Sequence, residues 1–522
     1  KPKPWEWLSL QSNFAGVTHT SWLFLCLSSY FYGLDSLPIS EPPSMAWRSK
    51  RLVTEVQRMY QEAEREPCPT YFVHTEDSAV DHWQVLVLGP SNSPYANAAF
   101  EMSMKFDASY PIQPPSCQWL TTDCGRVRYG PNLYAGGKIC LSILGTYSGE
   151  KWSAAMRGNS VILATQSLMD DEPFSKEPGF EKALASRGHP EALEYNDKLC
   201  HEVIRHAVCD QVEKALAGTL SSVFNQHRLE LFRQYLCQFE ALAATQSKKI
   251  KAGKPMMKTP FEFSGNGIEG VFQWPGLQDR LKGLRTKIDK QTSDWAAFKP
   301  SPALLQSRQV QLCEAQEKMR GRVLIEPVSQ TLSEWKCIFL AWGTVAGDSE
   351  WQPYFGAGVP TTPLHIVLPP RESGLPRARF VGKPVFHPSV APDGVPFVAL
   401  PQRPELAPGD VVERVHKILA EEPMPHPAAL LNEEARTLWT AKGVQGKMEC
   451  SRRASVSAAP PNLGKKRPQP DSAVILVDDD DDDVVVVSST APVSAAANED
   501  CVIVEHDSLM SARRASKRAA RS

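Results

Sequence analysis

At 522 residues the chain is too long for one small domain and leaves room for three or so folded units at roughly 150 residues each. Hydrophobic residues at 42% and charged residues at 22% suit a chain that buries a core. With 57 Lys+Arg against 59 Asp+Glu the formal net charge is −2, so whole-chain electrostatics do not carry it onto nucleic acid or an anionic membrane, and neither is an expected partner.

The 12 cysteines include no CxxC pair and are read as reduced thiols, which sets the expected location as cytoplasmic, nuclear or both. Near the start, Ser21 to Leu34 is an apolar, aromatic run, shorter than the about 20 residues a bilayer crossing takes. It has the character of a signal-peptide core, but no small-x-small cleavage pattern follows. After Met45, Leu52, Val56 and Met59 or Tyr60 fall on one helical face, so residues 1–44 are expected to be a non-native or disordered leader. From Tyr71 to Trp119 apolar residues alternate as in antiparallel strands, and YPIQPP (Tyr110 to Pro115) is expected to end the sheet. Helices are expected again after Ser160. Their stripes are Val161, Leu168 and Met169, then Leu199, Val203, Ala207 and Val208, then Leu231, Tyr235, Leu236, Phe239 and Leu242. SKKIKAGKP marks a loop or linker, and a second mixed unit follows from about Pro302 to Lys442. Beyond Gly446 the Ala, Ser, Pro, Asp and Arg composition cannot bury enough apolar surface to fold alone.

The string Tyr129 to Thr146, YGPNLYAGGKICLSILGT, has the parts a cysteine nucleophile needs: exposure, a fixed backbone and a nearby donor. Pro131 and the Gly136-Gly137 pair fix turns, Asn132 offers an amide, and Cys140 sits where the loop becomes apolar. A lone cysteine is otherwise a buried structural thiol. With GPSNSPY, FDASYPIQPP, KWSA and VILATQSLMDDEP around it, this string resembles the ubiquitin-conjugating enzyme family. The later NSVILATQSLMDDEPFSKEPGFE and HEVIRHAVCDQVEKAL look most like its Z-type members, which carries the likeness to about Leu242.

The resemblance implies an α+β class: the ubiquitin-conjugating fold, an antiparallel sheet flanked by helices. It implies that Cys140 takes ubiquitin or a ubiquitin-like protein as a thioester from an activating enzyme and passes it to lysines, with no cofactor and no metal. Asn132 takes the oxyanion-stabilising or loop-supporting place, and Glu177 is the acid nearest the lysine-orienting position, its alternative being a solvated loop acid. Gly130 stands where most members carry His, and Ser142 where many carry Asp. Arg48, Lys50 and Arg51 resemble the basic patch that meets the activating enzyme, while Ile112 and Ala154 correspond to the loops that face ubiquitin ligases.

HPSVAPDGVPFVAL repeats the Asn132-to-Cys140 frame with Ser389, Gly394 and Phe397; Pro353-Tyr354 mirrors Pro94-Tyr95, and Leu431 to Trp439 resembles the family's final helix. The fold is therefore expected twice, the second copy without its cysteine, kept either for binding or dimerising or as a decayed duplicate. The expected division is 45–185 catalytic domain, 186–300 helical extension and linker, 301–445 inactive copy and 446–522 disordered tail. In the tail, Val474, Ile475, Leu476 and Val477 beside Asp478 to Asp483, and Val502, Ile503 and Val504 among acids, have the pattern of SUMO-interacting motifs, which makes SUMO an expected partner. Basic clusters at Lys465 to Arg467 and Arg513 to Arg518 fit nuclear import. Gly265, Gly267 and Gly270 match a dinucleotide motif but Pro275 interrupts the helix it needs, and His201 and His206 are five apart where helical zinc ligands are four apart. The rival class is a non-catalytic adaptor for ubiquitin and SUMO with a vestigial Cys140; a third reading is a conjugating enzyme that serves as its own ligase.

Overall fold

The computed structural model describes residues 43–65, 69–180, 189–262, 268–340, 362–382, 385 and 387–421. Residues 1–42, the tail with both valine-rich motifs, Pro353-Tyr354, Leu431 to Trp439 and Gly265 and Gly267 lie outside the described residues.

Helix α1 (Pro43–Arg65) buries Leu52, Val56 and Met59, as its spacing predicts. Strands β1 (Tyr71–Glu76), β2 (Ala79–Leu88), β3 (Ala99–Lys105) and β4 (Ser116–Trp119) form an antiparallel sheet in chain order. Period two sets its faces: Val73, Val85, Met102 and Trp119 stand in register on one side. The prolines do not end the sheet. YPIQPP forms the turn between β3 and β4, returning the chain so that Ser116 pairs with Lys105. Helix α2 (Gly158–Gln166) packs on β2, where Gly158 is required by close approach: a Cβ there would sit 2.3 Å from the Trp83 ring. Because α2 stops at Gln166, Leu168 and Met169 belong to the following turn rather than to its stripe.

The extension begins with α3 (Pro190–Glu202), runs on through a π-helical turn (Val203–Asp210) into α4 (Gln211–Leu216), and continues with α5 (Asn225–Lys249) and α6 (Trp274–Ala296). Ser247 to Lys249 of the expected loop are helical, and the loop proper starts at Ile250. The first half of helix α5 is largely buried, including Arg228, Glu230, Arg233 and Gln234. On one side the His227 ring lies 4.5 Å from Phe72 of β1, and Arg228 donates to the Ala99 carbonyl at 2.9 Å. On the other, Arg233 donates to the Ala378 carbonyl at 2.7 Å and Gln234 to the Val398 carbonyl at 3.2 Å. These bonds on both sides let the first half of the helix bury its charged groups.

Beyond it, α7 (Pro302–Lys318) leads into β5 (Val323–Pro327), β6 (Glu334–Phe339), β7 (Leu364–Val367) and β8 (Arg377–Phe380), again antiparallel in chain order, and then α8 (Pro408–Glu421). After the fourth strand the two halves share one turn, bond for bond. Cys140 N–H donates to the Asn132 carbonyl at 2.9 Å, and Phe397 N–H to the Ser389 carbonyl at 2.8 Å. Tyr134 N–H donates to Lys138 at 3.0 Å, and Ala391 N–H to Val395 at 2.8 Å. Gly137 and Gly394, both at φ +87°, accept from Trp119 and Phe380 of the adjoining strands at 2.8 Å each. Only glycine adopts that φ freely.

The halves also touch through Gln402, whose side chain completes the edge of β1: its Oε1 accepts from Val73 N–H and its Nε2 donates to the Tyr71 carbonyl, both at 2.9 Å. Gln402→Ala leaves a buried donor unpaired and is expected to cost about 1–3 kcal/mol, read as lowered denaturant stability with faster amide exchange at Val73. His227 donates from Nε2 to the Pro401 carbonyl at 2.8 Å, and burial pushes its pKa down to about 4. The unfolded chain binds this proton near the ordinary value of 6.5, so stability is fully present above that pH and falls as pH drops toward 4. From pH 7 to 5 the loss through this group is about 2 kcal/mol, measurable as a urea-midpoint shift that His227→Gln reduces.

Candidate active site

The turn that ends on Cys140 is held from both sides. Leu133 and Ile139 form an antiparallel bridge, and beyond the cysteine the Thr146 hydroxyl donates to the Ile139 carbonyl at 2.7 Å and accepts from Leu141 N–H at 2.9 Å. A 3-10 turn, Ser142–Leu144, follows. The Asn132 side-chain amide donates to the Cys140 carbonyl at 2.9 Å. This bond braces the turn at the cysteine.

Cys140 is 6% exposed, against the exposure its string suggests. Half-buried Tyr134 stands on the same turn, and its phenol and the thiol act on each other. Glu177 closes a 3-10 turn (Pro173–Lys176) and lies 3.7 Å from the Arg128 guanidinium. Burial raises the Glu177 pKa above the usual carboxylate range, and Arg128 partly opposes the shift. Cys140 and Glu177 both bear electrostatically on Tyr134, whose ring stacks on Arg128. Arg128 and Tyr134 are the site residues that sequence reasoning missed. Nothing in RVRYGPN distinguishes an inward arginine from a surface one.

The expected partner residues divide. Arg48 donates to the Phe106 carbonyl at 2.9 Å and pairs with Asp81 at 3.4 Å, and Arg51 binds Glu55 at 2.9 Å and the Ala154 and Met156 carbonyls at 2.9 and 3.0 Å. Both are therefore committed to the fold, and of the expected basic patch Lys50 is the member in the exposed class. Arg51 instead anchors the loop that carries exposed Ala154. Ile112 is 75% exposed, and Trp152 Nε1 donates to the Pro111 carbonyl at 2.6 Å, which fixes the two expected ligase-facing loops side by side.

The π-helical turn changes the setting of the two histidines. His206 approaches Asp123 and Asp210 closely enough for a metal cluster, but its Nε2 accepts from Asp123 N–H at 3.0 Å and its Nδ1 faces Asp210 at 3.0 Å. Arg205 and Arg280 take up the remaining carboxylate oxygens at 2.7 and 2.6 Å. His201 Nε2 accepts from Gln273 N–H at 3.0 Å. These groups are an ion-pair network that ties the extension to the Thr121–Val127 loop. Burial pushes the thiols of Cys117, Cys200, Cys209 and Cys337 up to about 12, which makes them packing groups rather than nucleophiles. No described helix is long and apolar enough to cross a membrane.

Comparison with known proteins agrees with this geometry. The family model described as ubiquitin-conjugating enzyme matches residues 51–202, which include the turn and Cys140. The ubiquitin-conjugating enzyme E2 Z of Xenopus tropicalis is 38% identical over 242 residues, 46% of this chain and 73% of that protein. The E2 Z of Danio rerio is 32% identical over 245 residues, 46% of this chain and 70% of that protein. A dual E2 ubiquitin-conjugating enzyme/E3 ubiquitin-protein ligase BIRC6 of Homo sapiens is 33% identical over 219 residues, 40% of this chain and 4% of that protein. The chain therefore belongs to the ubiquitin-conjugating enzyme family, a family of transferases, and is similar to its Z-type members.

Proposed function

We propose that Cys140 accepts the C-terminal glycyl group of ubiquitin from an activating enzyme and delivers it to substrate lysines. In loading, the Cys140 sulfur attacks the carbonyl of the ubiquitin thioester; a new C–S bond forms, the old one breaks, and the activating enzyme's thiol leaves. In transfer, a lysine amine attacks the same carbonyl, an isopeptide C–N bond forms, and the Cys140 thiol leaves. The amine's proton passes to Glu177 or to water. The observation that carries this reading is Cys140 itself, at the end of a turn braced by the backbone and side chain of Asn132.

The half that starts at Pro302 is a non-catalytic copy. It keeps the turn, but Phe397 stands at the nucleophile's place and carries no group able to form a thioester. Ubiquitin rather than another ubiquitin-like protein is favoured by the names of the relatives. Substrate recruitment by the second copy, with the chain as its own ligase, is tested by modification of substrate without added ligase.

The experiment incubates the protein with ATP, ubiquitin and a panel of activating enzymes and looks for a thiol-sensitive adduct on non-reducing gels. A reducible adduct at Cys140 is expected. A folded sample that forms none with any activating enzyme or ubiquitin-like protein is an adaptor instead.

A further inference from the structure

Arg128 is 2% exposed and spends its donors on the backbone: Nε on the Gly130 carbonyl at 3.0 Å, and the two terminal nitrogens on Pro131 at 2.6 Å and Phe261 at 3.2 Å. Its guanidinium carbon lies 4.1 Å from the centre of the Tyr134 ring, and Glu177 is 3.7 Å away on another side. Phe261 comes from the loop beyond α5, and its ring packs 5.4 Å from Phe174, in the turn that ends on Glu177. One buried cation thus spans the extension, the loop before Asn132, the Tyr134 ring and the acid. Only a planar fork with donors on every side makes three carbonyl bonds while stacking on a ring.

We propose that Arg128 is a positioning residue for transfer from Cys140 to lysine, through which the helical extension sets the geometry of the active site by fixing the Tyr134 ring and Glu177. The proposal rests on the reading of Cys140 as the ubiquitin acceptor. An incoming lysine is protonated at neutral pH and must give up its proton to a deprotonated Glu177. Burial works against that form, and Arg128 is the cation that favours it; the other titratable groups facing Glu177 are the phenols of Tyr134 and Tyr195, while neighbouring Lys176 is paired with Asp170 at 2.7 Å.

The test uses the full chain with the ubiquitin adduct formed first. Single-turnover discharge is then followed against pH, once to lysine and once to hydroxylamine, an amine already unprotonated and in no need of Glu177. Arg128→Gln is expected to slow discharge to lysine on the order of 10²-fold, the cost of misplacing reacting groups. It should leave hydroxylamine discharge within a few-fold of wild type and move the acid limb of the lysine profile to higher pH. Arg128→Lys keeps the charge but not the fork, so the limb stays while the rate falls. In Glu177→Gln the limb disappears, and adding Arg128→Gln moves nothing further. Equal losses toward both amines, or a profile that superimposes on wild type, overturns the proposal. If Arg128→Gln does not fold, Tyr134→Leu removes the stacked ring at a half-buried position, and unchanged discharge to lysine then overturns it. Absence of any wild-type adduct would instead sink the Cys140 reading itself.

Discussion

Cys140→Ser is expected to abolish turnover while leaving the fold intact, and to separate loading from transfer. The substitution is nearly isosteric at a 6% exposed position, and a hydroxyl finds the same Tyr134 neighbour as the thiol, so thermal unfolding should stay close to wild type. Chemistry responds differently. A serine hydroxyl is a far weaker nucleophile than a thiolate, and the acid of this site, Glu177, is engaged with Arg128. Any ubiquitin that reaches the substituted side chain would be held as an oxyester, which resists thiols and reacts slowly with amines. Non-reducing gels should therefore show either no adduct or one that survives reductant, and multi-turnover lysine modification should be undetectable in both cases. Cys140→Ala should form no adduct at all, because Phe397 gives the second copy no nucleophile to fall back on. A reductant-sensitive adduct persisting in Cys140→Ala would mean that another thiol, such as exposed Cys124 or Cys313, is the acceptor.

What the sequence made legible is what depends on near neighbours. Alternation in HWQVLVLGP and FEMSMKF locates β2 and β3, and the glycine spacing around Cys140 and Phe397 leads to one turn shared by both halves. The alternation runs on to Trp119, but the proline-rich turn masks the fourth strand, whose four residues carry little pattern of their own; pairing with β3 makes them a strand. The setting of Tyr134 beside the Cys140 turn is hidden for a related reason, since its ring is stacked on Arg128. That arginine bonds to backbone carbonyls, one of them 133 positions away, and a carbonyl has no signature in sequence. Arg48 and Arg51 look like a docking patch because a helix read alone presents its cations to water; the Phe106, Ala154 and Met156 carbonyls they satisfy belong to other segments. The two histidines five apart fail a rule that assumes an α-helix, whereas the chain there takes a π turn.

Arg233→Ala is expected to be among the most destabilising single changes outside the apolar core, about 3–5 kcal/mol, because it leaves a buried carboxylate uncompensated. Arg233 and Glu230 are each 5% exposed at the side chain and are joined by two bonds, Nε to Oε2 at 2.9 Å and a terminal nitrogen to Oε1 at 2.7 Å. The third face of the guanidinium donates to the Ala378 carbonyl on β8, so the same residue ties α5 to the second sheet. After truncation Glu230 keeps only Gln234 Nε2 at 3.3 Å, a long bond to a neutral donor. Its carboxyl must then take up a proton or draw water into the buried half of the helix. Glu230→Ala/Arg233→Ala should accordingly cost less than the sum of the single changes, since the double variant buries no orphan charge. Denaturation followed by far-UV circular dichroism and by tryptophan fluorescence distinguishes the outcomes: Trp83 and Trp119 report the first sheet and Trp335 the second. Coincident transitions, both shifted to lower denaturant by Arg233→Ala, are expected if α5 makes one cooperative unit of the two halves. If the second sheet melts early while the first keeps its wild-type midpoint, Arg233 secures the second copy alone, and the catalytic half stands on its own.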